Sequence, residues 1–202
     1  MLYGRVALGD TFGLAAVAGR TDLDLDSRRA LGDAGVVFGQ RNGTNEFVGV
    51  ELSGEWRNGD RGLVPYLRYE HARTELDGFA ESATSPLALQ YGDVTQRNSA
   101  FVLGAEAFHD LRFNWGVLTP KVRVEWRDRD GDSVNQQLWY LDAPATPYVL
   151  AVRGLDERSA LASFGLDAAF GNVRLSFEYG TAGSAEDFFQ GQSVRLQIRA
   201  DF

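Results

Sequence analysis

Cysteine is absent from this chain of 202 residues, and histidine occurs only at His71 and His109. The first absence excludes disulfide bonds and thiolate metal sites. The second leaves too few imidazoles for a zinc centre of the usual kind. The formal net charge of −8 argues against nucleic acid as a partner. No glycine-rich phosphate-binding loop occurs either, so we expect neither a metal nor another cofactor.

Long apolar runs are also missing. No stretch of about 18 apolar residues occurs, which excludes a helix that crosses a membrane. The amino end, Met1–Leu8, has neither the basic start nor the apolar core of a signal peptide. The mean hydropathy is −0.24. These observations do not exclude a membrane β-barrel, because barrel strands are half polar and their average hydropathy is like that of a soluble protein.

The sequence has instead an alternation of period two. From Ser193 to Phe202 every even position is apolar and every odd one is polar or charged, and Phe202 completes the apolar stripe. Side chains of a strand alternate between its faces, so this stretch predicts a strand with one apolar and one polar face. The same period recurs and predicts an all-β antiparallel fold of eleven strands: 2–8, 12–24, 34–57, 63–79, 97–110, 115–129, 133–141, 147–155, 158–170, 172–182 and 191–202.

The lengths of the connections predict an orientation, because membrane barrels have short periplasmic turns and longer outer loops. The short connections are Gly9–Thr11, Arg57–Gly62, Asp110–Trp115 and Gly171-Asn172, and the long ones are Leu25–Asp33, Ala80–Gln96 and Gly183–Gln190. This pattern requires 34–57 to be one strand, although Asn42-Gly43 is a turn signal. Single-chain barrels usually have an even strand count, so eleven predicts a further strand before Met1.

Charged residues occupy the polar positions of these strands. Burying so many charges in a dry core is costly unless they are paired, and a water-filled lumen removes that cost. We therefore expect these residues to line a pore: Arg68, Glu70, Arg123, Glu125, Arg174, Glu178, Arg195 and Arg199. A soluble barrel or sandwich with outward charges explains the alternation equally well. It explains less well why aromatics stand near predicted strand ends, as in a membrane girdle: Trp56, Tyr66, Trp115, Trp126, Trp139, Tyr148, Phe170 and Tyr179.

Several short motifs add to this pattern. Gly54-Glu55-Trp56 is followed by Gly62-Leu63-Val64-Pro65-Tyr66-Leu67-Arg68-Tyr69 and by Asp77-Gly78-Phe79-Ala80-Glu81. After them come Leu103-Gly104, Trp115-Gly116-Val117-Leu118-Thr119-Pro120, Glu125-Trp126, Gly165-Leu166, Tyr179 and Phe202. In this order, across residues 54–202, the set resembles the C-terminal β-domain of bacterial autotransporters, the translocator of type V secretion.

The resemblance implies an antiparallel transmembrane β-barrel of twelve strands, about eleven of them present, with residues 1–202 forming one domain. It implies a translocator in the bacterial outer membrane that helps export an N-terminal passenger through a hydrated pore. The expected partners are outer-membrane lipid, the barrel-assembly machinery and the passenger segment, which this chain lacks. We therefore expect the chain to be a fragment or a processed C-terminal piece. Phe202 is the candidate assembly signal.

Three alternatives remain open: a self-standing porin or structural barrel, a soluble β-barrel ligand-binding module, and a barrel-embedded hydrolase. We expect no catalytic residue. His71 stands near Glu70 and could form a His–carboxylate pair, but we favour an exposed interfacial histidine, because the sequence places no nucleophile beside it. The aspartates at 22, 24 and 26 and at 128, 130 and 132 fit solvated loops better than a calcium site, because no later glutamate completes an EF-hand pattern.

Overall fold

The computed structural model describes residues 1–82, 85–154, 156–184 and 191–200, and its regular structure is almost entirely β-strand. In chain order the strands are β1 (Leu2–Leu8), β2 (Phe12–Ala30), β3 (Val36–Gly54), β4 (Trp56–Asn58), β5 (Arg61–Leu76), β6 (Phe79–Ala80), β7 (Leu89–Tyr91), β8 (Val94–His109), β9 (Leu111–Phe113), β10 (Gly116–Gly131), β11 (Val134–Tyr140), β12 (Tyr148–Val152), β13 (Glu157–Phe170), β14 (Val173–Gly183) and β15 (Gly191–Ala200). A 3-10 turn occupies Gly32–Ala34. No helix within the described ranges is long and apolar enough to cross a membrane.

The main sheet has eleven strands and curls into half a barrel. Its path runs β1-β2-β3-β5-β8-β10-β13-β14-β15, with β4 paired to β5 and β9 paired to β10. Every pairing is antiparallel, which confirms the predicted fold class. Residues 34–57 do form one nearly continuous strand, because Asn42 and Gly43 find ladder partners in Asp24 and Leu76 of the adjacent strands.

The connections at one end of the main sheet are tight turns. Gly59 and Gly171 adopt positive φ angles of 62° and 58°. A residue with a Cβ pays a steric cost in this region of conformational space, so glycine permits the chain to reverse within two or three residues. The connections at the opposite end are longer, including residues 77–93 and 132–156. This is the asymmetry that the sequence predicted.

A second sheet of four strands, in the order β12-β11-β7-β6, lies at the end with the long connections. We call it the outer sheet. It rests on the upper part of β3, where the Phe79 ring packs so closely against Gly39 that a Cβ at Gly39 would lie 2.4 Å from the ring. The Arg41 guanidinium donates to the carbonyls of Asp77 and Gly92 and to Gln136 Oε1.

The predicted strands 133–141 and 147–155 are therefore strands of the outer sheet and not members of the main sheet. The eleven strands observed in the main sheet differ from the eleven predicted, because β4 and β9 are counted and β11 and β12 are not. Alternation identified the two segments as strands, but it carries no information about which neighbour a strand selects.

The expected loop Leu25–Asp33 is also wrong in its first part, because β2 continues to Ala30. The alternation persists there with the opposite polarity. Leu25 opposes Arg41 on the face toward the outer sheet and is itself 44% exposed, and Asp24 and Asp26 are exposed on the other face. The reversal is expected above a membrane, where the outer face of the sheet meets water instead of lipid.

Candidate functional site

The pairing registers gather the charged residues on one face of the main sheet. Residues directly opposite in an antiparallel pair share a face. Glu51 opposes Arg68, Glu106 opposes Arg123, and Glu178 opposes Arg195. Followed from strand to strand, these registers place all eight sequence candidates on the same face: Arg68, Glu70, Arg123, Glu125, Arg174, Glu178, Arg195 and Arg199. We call it the polar face.

Glu125 is the most deeply buried charge of the polar face, with its side chain 8% exposed. The Tyr66 hydroxyl donates a hydrogen bond of 2.5 Å to Glu125 Oε1. Arg68 Nη2 lies 4.0 Å and Arg127 Nη2 lies 3.8 Å from Glu125 Oε2. The carboxylate therefore has a donor and two cations around it, as a buried charge requires.

Further ion pairs extend the network along the same face. Arg68 Nη1 lies 3.4 Å from a carboxylate oxygen of Glu51, and its Nε lies 2.8 Å from Glu70 Oε1. Arg123 donates from two nitrogens to Glu106 Oε2, at 2.7 and 3.1 Å. These side chains are partly exposed, so each pair contributes about 0–1 kcal/mol to stability. Their main effect is to keep a charged surface ordered.

The same face continues toward β13 with an ammonium–carboxylate pair. Lys121 Nζ donates to Asp167 Oδ2 at 3.0 Å. Sequence reasoning did not single out Asp167, Arg127 or Tyr66 as members of the network. The alternation contained the signal, because Tyr66 has the same parity as Arg68, Arg127 the same parity as Glu125, and Asp167 the same parity as Ser163.

At the edge of the sheet the polar face continues onto β15. Arg174 stands directly opposite Arg199, and Glu178 stands opposite Arg195. Glu178 also interacts electrostatically with Arg123. The charged face thus extends to the last described strand.

A cleft of about 670 Å³ opens between the first strands of the main sheet. Tyr3, Val17 and Phe47 contribute an apolar part of its wall, and Glu51 and Arg68 contribute a charged part. The cleft therefore belongs to the polar face and offers it a mixed surface. No three histidine, aspartate or glutamate side chains in the described part of the chain form a group that could hold a metal ion.

The opposite face carries an apolar band open to the surroundings. On β15 the exposed fractions are 65% for Val194, 77% for Leu196 and 76% for Ile198. The pairing registers show that the band continues across the other strands of the sheet. Its further members are Leu14, Val50, Leu52, Leu67, Tyr69, Phe101, Leu103, Val122, Val124, Trp126, Phe164, Leu175, Phe177 and Tyr179. An apolar surface of this extent is stable against lipid and unstable in water.

Aromatic residues border the band at the end with the tight turns. Phe12 packs edge-on against Trp56, with 6.0 Å between ring centroids, and Trp115 lies between Phe113 and Phe170, at 5.2 and 6.5 Å. Such a row is typical of a membrane interface. Five of the eight predicted girdle residues do not belong to it: Trp126 and Tyr179 lie within the band, Tyr66 lies on the polar face, and Trp139 and Tyr148 lie in the outer sheet.

His71 lies on the same face as the band, just beyond its far edge, and is half-buried. Its Nδ1 lies 3.0 Å from Ser99 Oγ. The expectation that no nucleophile stands beside His71 was therefore wrong, because β8 brings in a serine from 28 residues away. In the described residues no carboxylate hydrogen-bonds the imidazole, and the Tyr69 hydroxyl already donates to Ser99 Oγ at 3.3 Å. The pair thus lacks the group that orients the base in a hydrolase.

A second buried charge fixes the outer sheet. The Glu81 side chain is 3% exposed, and Arg29 Nη2 lies 2.5 Å from its Oε2. Burial alone would raise the pKa of the Glu81 carboxyl, but hydrogen bonds from Arg29 and from the Leu89 amide outweigh it and hold the pKa below its ordinary value. The carboxylate is thus charged at neutral pH and links the outer sheet to β2. Phe202, the candidate assembly signal, lies outside the described residues.

An antiparallel half-barrel with a lipid-compatible outer band and a charged inner face defines a β-barrel protein of the bacterial outer membrane. A family model described as the autotransporter beta-domain matches residues 1–180. The chain belongs to the autotransporter beta-domain family. It is an outer-membrane translocator domain.

The chain also matches solved structures. The translocator domain of the autotransporter NalP from Neisseria meningitidis matches with a TM-score of 0.51 and 11% identity, over 97% of this chain and 70% of that one. BauA, the ferric preacinetobactin receptor from Acinetobacter baumannii, matches with a TM-score of 0.31 and 13% identity, over 97% of this chain and 40% of that one. The first similarity supports the fold, and the second carries no argument. No curated protein matches the chain in sequence.

Proposed function

We propose that the polar face lines the hydrated path through which an N-terminal passenger leaves the cell, and that residues 1–202 act as one domain in this task. The observation that supports the proposal is the continuous charged face opposite a continuous apolar band. The eight residues Arg68, Glu70, Arg123, Glu125, Arg174, Glu178, Arg195 and Arg199 share that face. A hydrated charged wall gives a passing chain polar contacts.

The remaining partners follow from the same assignment. The apolar band contacts outer-membrane lipid, the barrel-assembly machinery inserts the domain with Phe202 as its signal, and the passenger is the cargo. The domain carries out no covalent chemistry. Export uses the hydrated channel and the folding machinery and not nucleotide hydrolysis, and no residue of the polar face acts as a nucleophile.

The proposal is tested with single cysteines, which are unambiguous because the native chain has none. Gln197→Cys lies on the polar face and Leu196→Cys lies next to it on the band. Each variant is placed in a protein that carries a passenger stalled during export, with one cysteine in the stalled segment. We expect a disulfide with the passenger at position 197 and not at 196. Equal cross-linking at the two positions, or cross-linking at 196 alone, would contradict the proposal.

A further inference from the structure

A row of charged residues crosses the outer face just beyond the apolar band. Arg20 opposes Glu46, Glu46 opposes Arg73, and Arg73 opposes Arg97, so four strands contribute to one level. The row lies at the end with the long connections, which is the extracellular end in an outer-membrane barrel. Arg73 stands four residues beyond Tyr69, which is roughly 13 Å along the strand. Tyr69 belongs to the edge of the apolar band, so the row lies at the level expected for lipid headgroups.

The middle of this row contains two guanidinium groups side by side. We call Arg73 and Arg97 the arginine pair. Directly opposite like charges on adjacent strands are destabilising unless something of opposite charge lies between them. Both side chains are exposed, at 44% and 53%, so the surroundings of the protein can supply that charge.

The protein itself compensates the arginine pair only partly. Arg73 donates a hydrogen bond to Glu75, its neighbour two residues along the same strand. Arg97 has an ion pair with Asp132 at 3.8 Å, and within the described residues its side chain makes no hydrogen bond. Glu46, the nearest acid of the row, bonds to Arg20 instead, at 3.3 Å. The two guanidinium groups carry five N–H donors each. Within the described residues, the carboxylate of Glu75 is the one acceptor to which their side chains donate a hydrogen bond.

On β5 and β8 the side of the pair nearer the membrane is neutral. His71 and Ser99 stand directly opposite each other two residues closer to the band, and Tyr69 and Phe101 follow. Acids flank these two strands on β10, where Asp130 stands opposite Ser99 and Asp128, which pairs with Arg158, stands opposite Phe101. An anionic group that approaches along β5 and β8 from the lipid side thus meets histidine, serine and arginine before a carboxylate of either strand.

We propose that the arginine pair binds the phosphate of a lipid headgroup in the outer leaflet. A phosphate presents several acceptor oxygens, and arginine binds it through paired N–H groups with strong charge-assisted bonds. One phosphate between Arg73 and Arg97 would separate the two like charges and occupy donors of both. The acyl chains of that lipid would then lie along Tyr69, Phe101 and the rest of the band.

The test uses the whole chain in uncharged maltoside micelles, with bound lipid counted by native mass spectrometry. The probes are dilauroyl phosphatidic acid, dilauroylglycerol with the same acyl chains and no phosphate, and inorganic phosphate as a competitor. The site variant is Arg73→Gln with Arg97→Gln. The control variant, Arg112→Gln with Arg158→Gln, removes the same charge from exposed arginines that lie outside the row and already pair with Asp60 and Asp128.

We expect the native chain to bind phosphatidic acid at least ten-fold more tightly than dilauroylglycerol, and the site variant to lose roughly ten-fold of that preference. The control variant should stay within about two-fold of the native chain. If the site variant does not fold, Arg73→Lys with Arg97→Lys takes its place, because it retains the charges and loses the paired donors. It should then bind less tightly than the native chain.

Three results would overturn the proposal. The first is an unchanged preference in the site variant. The second is an equal loss in the control variant, which would indicate a diffuse effect of net charge. The third is displacement of the lipid by inorganic phosphate at equal concentration, which would indicate a site for the free anion. Passenger export is measured separately, and none of these results bears on it.

Discussion

Tyr66 on β5 and Glu125 on β10 are joined by a hydrogen bond of 2.5 Å, although strand β8 lies between them. The residue of β8 in this row is Gly104, which opposes both of them in the pairing register. A Cβ on Gly104 would lie 2.4 Å from Tyr66 Cζ, so only a residue without a side chain permits the ring to lie across the strand. The contact also requires the sheet to curve toward the polar face.

The first prediction concerns this glycine. Gly104→Ala should push the Tyr66 ring off β8 and separate its hydroxyl from Glu125, with a loss of about 1–3 kcal/mol in the free energy of unfolding. The measurement is urea unfolding in detergent micelles. Gly4→Ala is the matched control, because a Cβ at Gly4 meets nothing within 4 Å. Equal effects of the two substitutions would contradict the steric account.

The second prediction removes the hydroxyl and keeps the ring. Tyr66→Phe leaves Glu125 without its hydrogen-bond donor in a site where the carboxylate is 8% exposed. We expect a loss of about 1–3 kcal/mol in the same unfolding measurement, because a buried charge loses a partner. Tyr69→Phe removes the same atom from an exposed residue of the outer face and should cost less than about 0.5 kcal/mol. A larger cost at Tyr69 than at Tyr66 would show that the hydroxyl does not support Glu125.

Much of this architecture follows from alternation alone, because period two fixes which side chains share a face. For that reason it was predictable that Leu196 and Gln197 lie on opposite faces of the sheet and that Arg68 and Glu125 lie on the same face. The partner of each strand was not predictable. Trp139 and Tyr148 were predicted to belong to the membrane girdle because their strands alternate like those of the main sheet. In the structure β11 pairs with β7 and with β12, so both residues lie in the outer sheet.

Long-range side-chain contacts were beyond prediction for a different reason. Ser99 reaches His71 only because β5 and β8 pair in one particular register, and a shift of one residue would move Ser99 to the other face. Arg29 and Glu81 are 52 residues apart and meet only when the outer sheet has docked. Such contacts depend on loop conformations that no local periodicity encodes.

The third prediction tests which face meets lipid. Leu196→Arg places a charge on the apolar band, where the cost in a bilayer is about 2–4 kcal/mol near the midplane. Gln197→Arg places the same charge on the polar face one residue away and should be nearly neutral. The folded fraction after refolding into phospholipid vesicles measures both. If Gln197→Arg were the more harmful variant, the assignment of the two faces would have to be reversed.

The last prediction concerns Glu81, whose hydrogen bonds to Arg29 and to the Leu89 amide hold the outer sheet against β2. Because the pKa of Glu81 lies below its ordinary value of 4.5, its contribution is complete above that pH and is lost as the pH falls through the lower value of the folded protein. Amide exchange of β7 and β11, corrected for the intrinsic rate, should therefore be uniform between about pH 7 and 5 and rise only under more acidic conditions.

Glu81→Gln should produce that loosening at neutral pH, because the amide has no negative charge and one acceptor oxygen where the carboxylate accepts from Arg29 with two. We expect the local stability of the outer sheet to fall by about 1–3 kcal/mol, a modest value because Arg29 is itself partly exposed. Glu75→Gln is the control, since its ion pair with Arg73 lies in solvent and supports no part of the outer sheet. The main sheet beyond β2 should keep its exchange protection in both variants, because the partners of the Glu81 side chain within the described residues are Arg29, Leu89 and Tyr91, on β2 and in the outer sheet. Unchanged exchange of β7 in Glu81→Gln would mean that Arg41 and the packing of Phe79 on Gly39 fix the outer sheet without the buried ion pair.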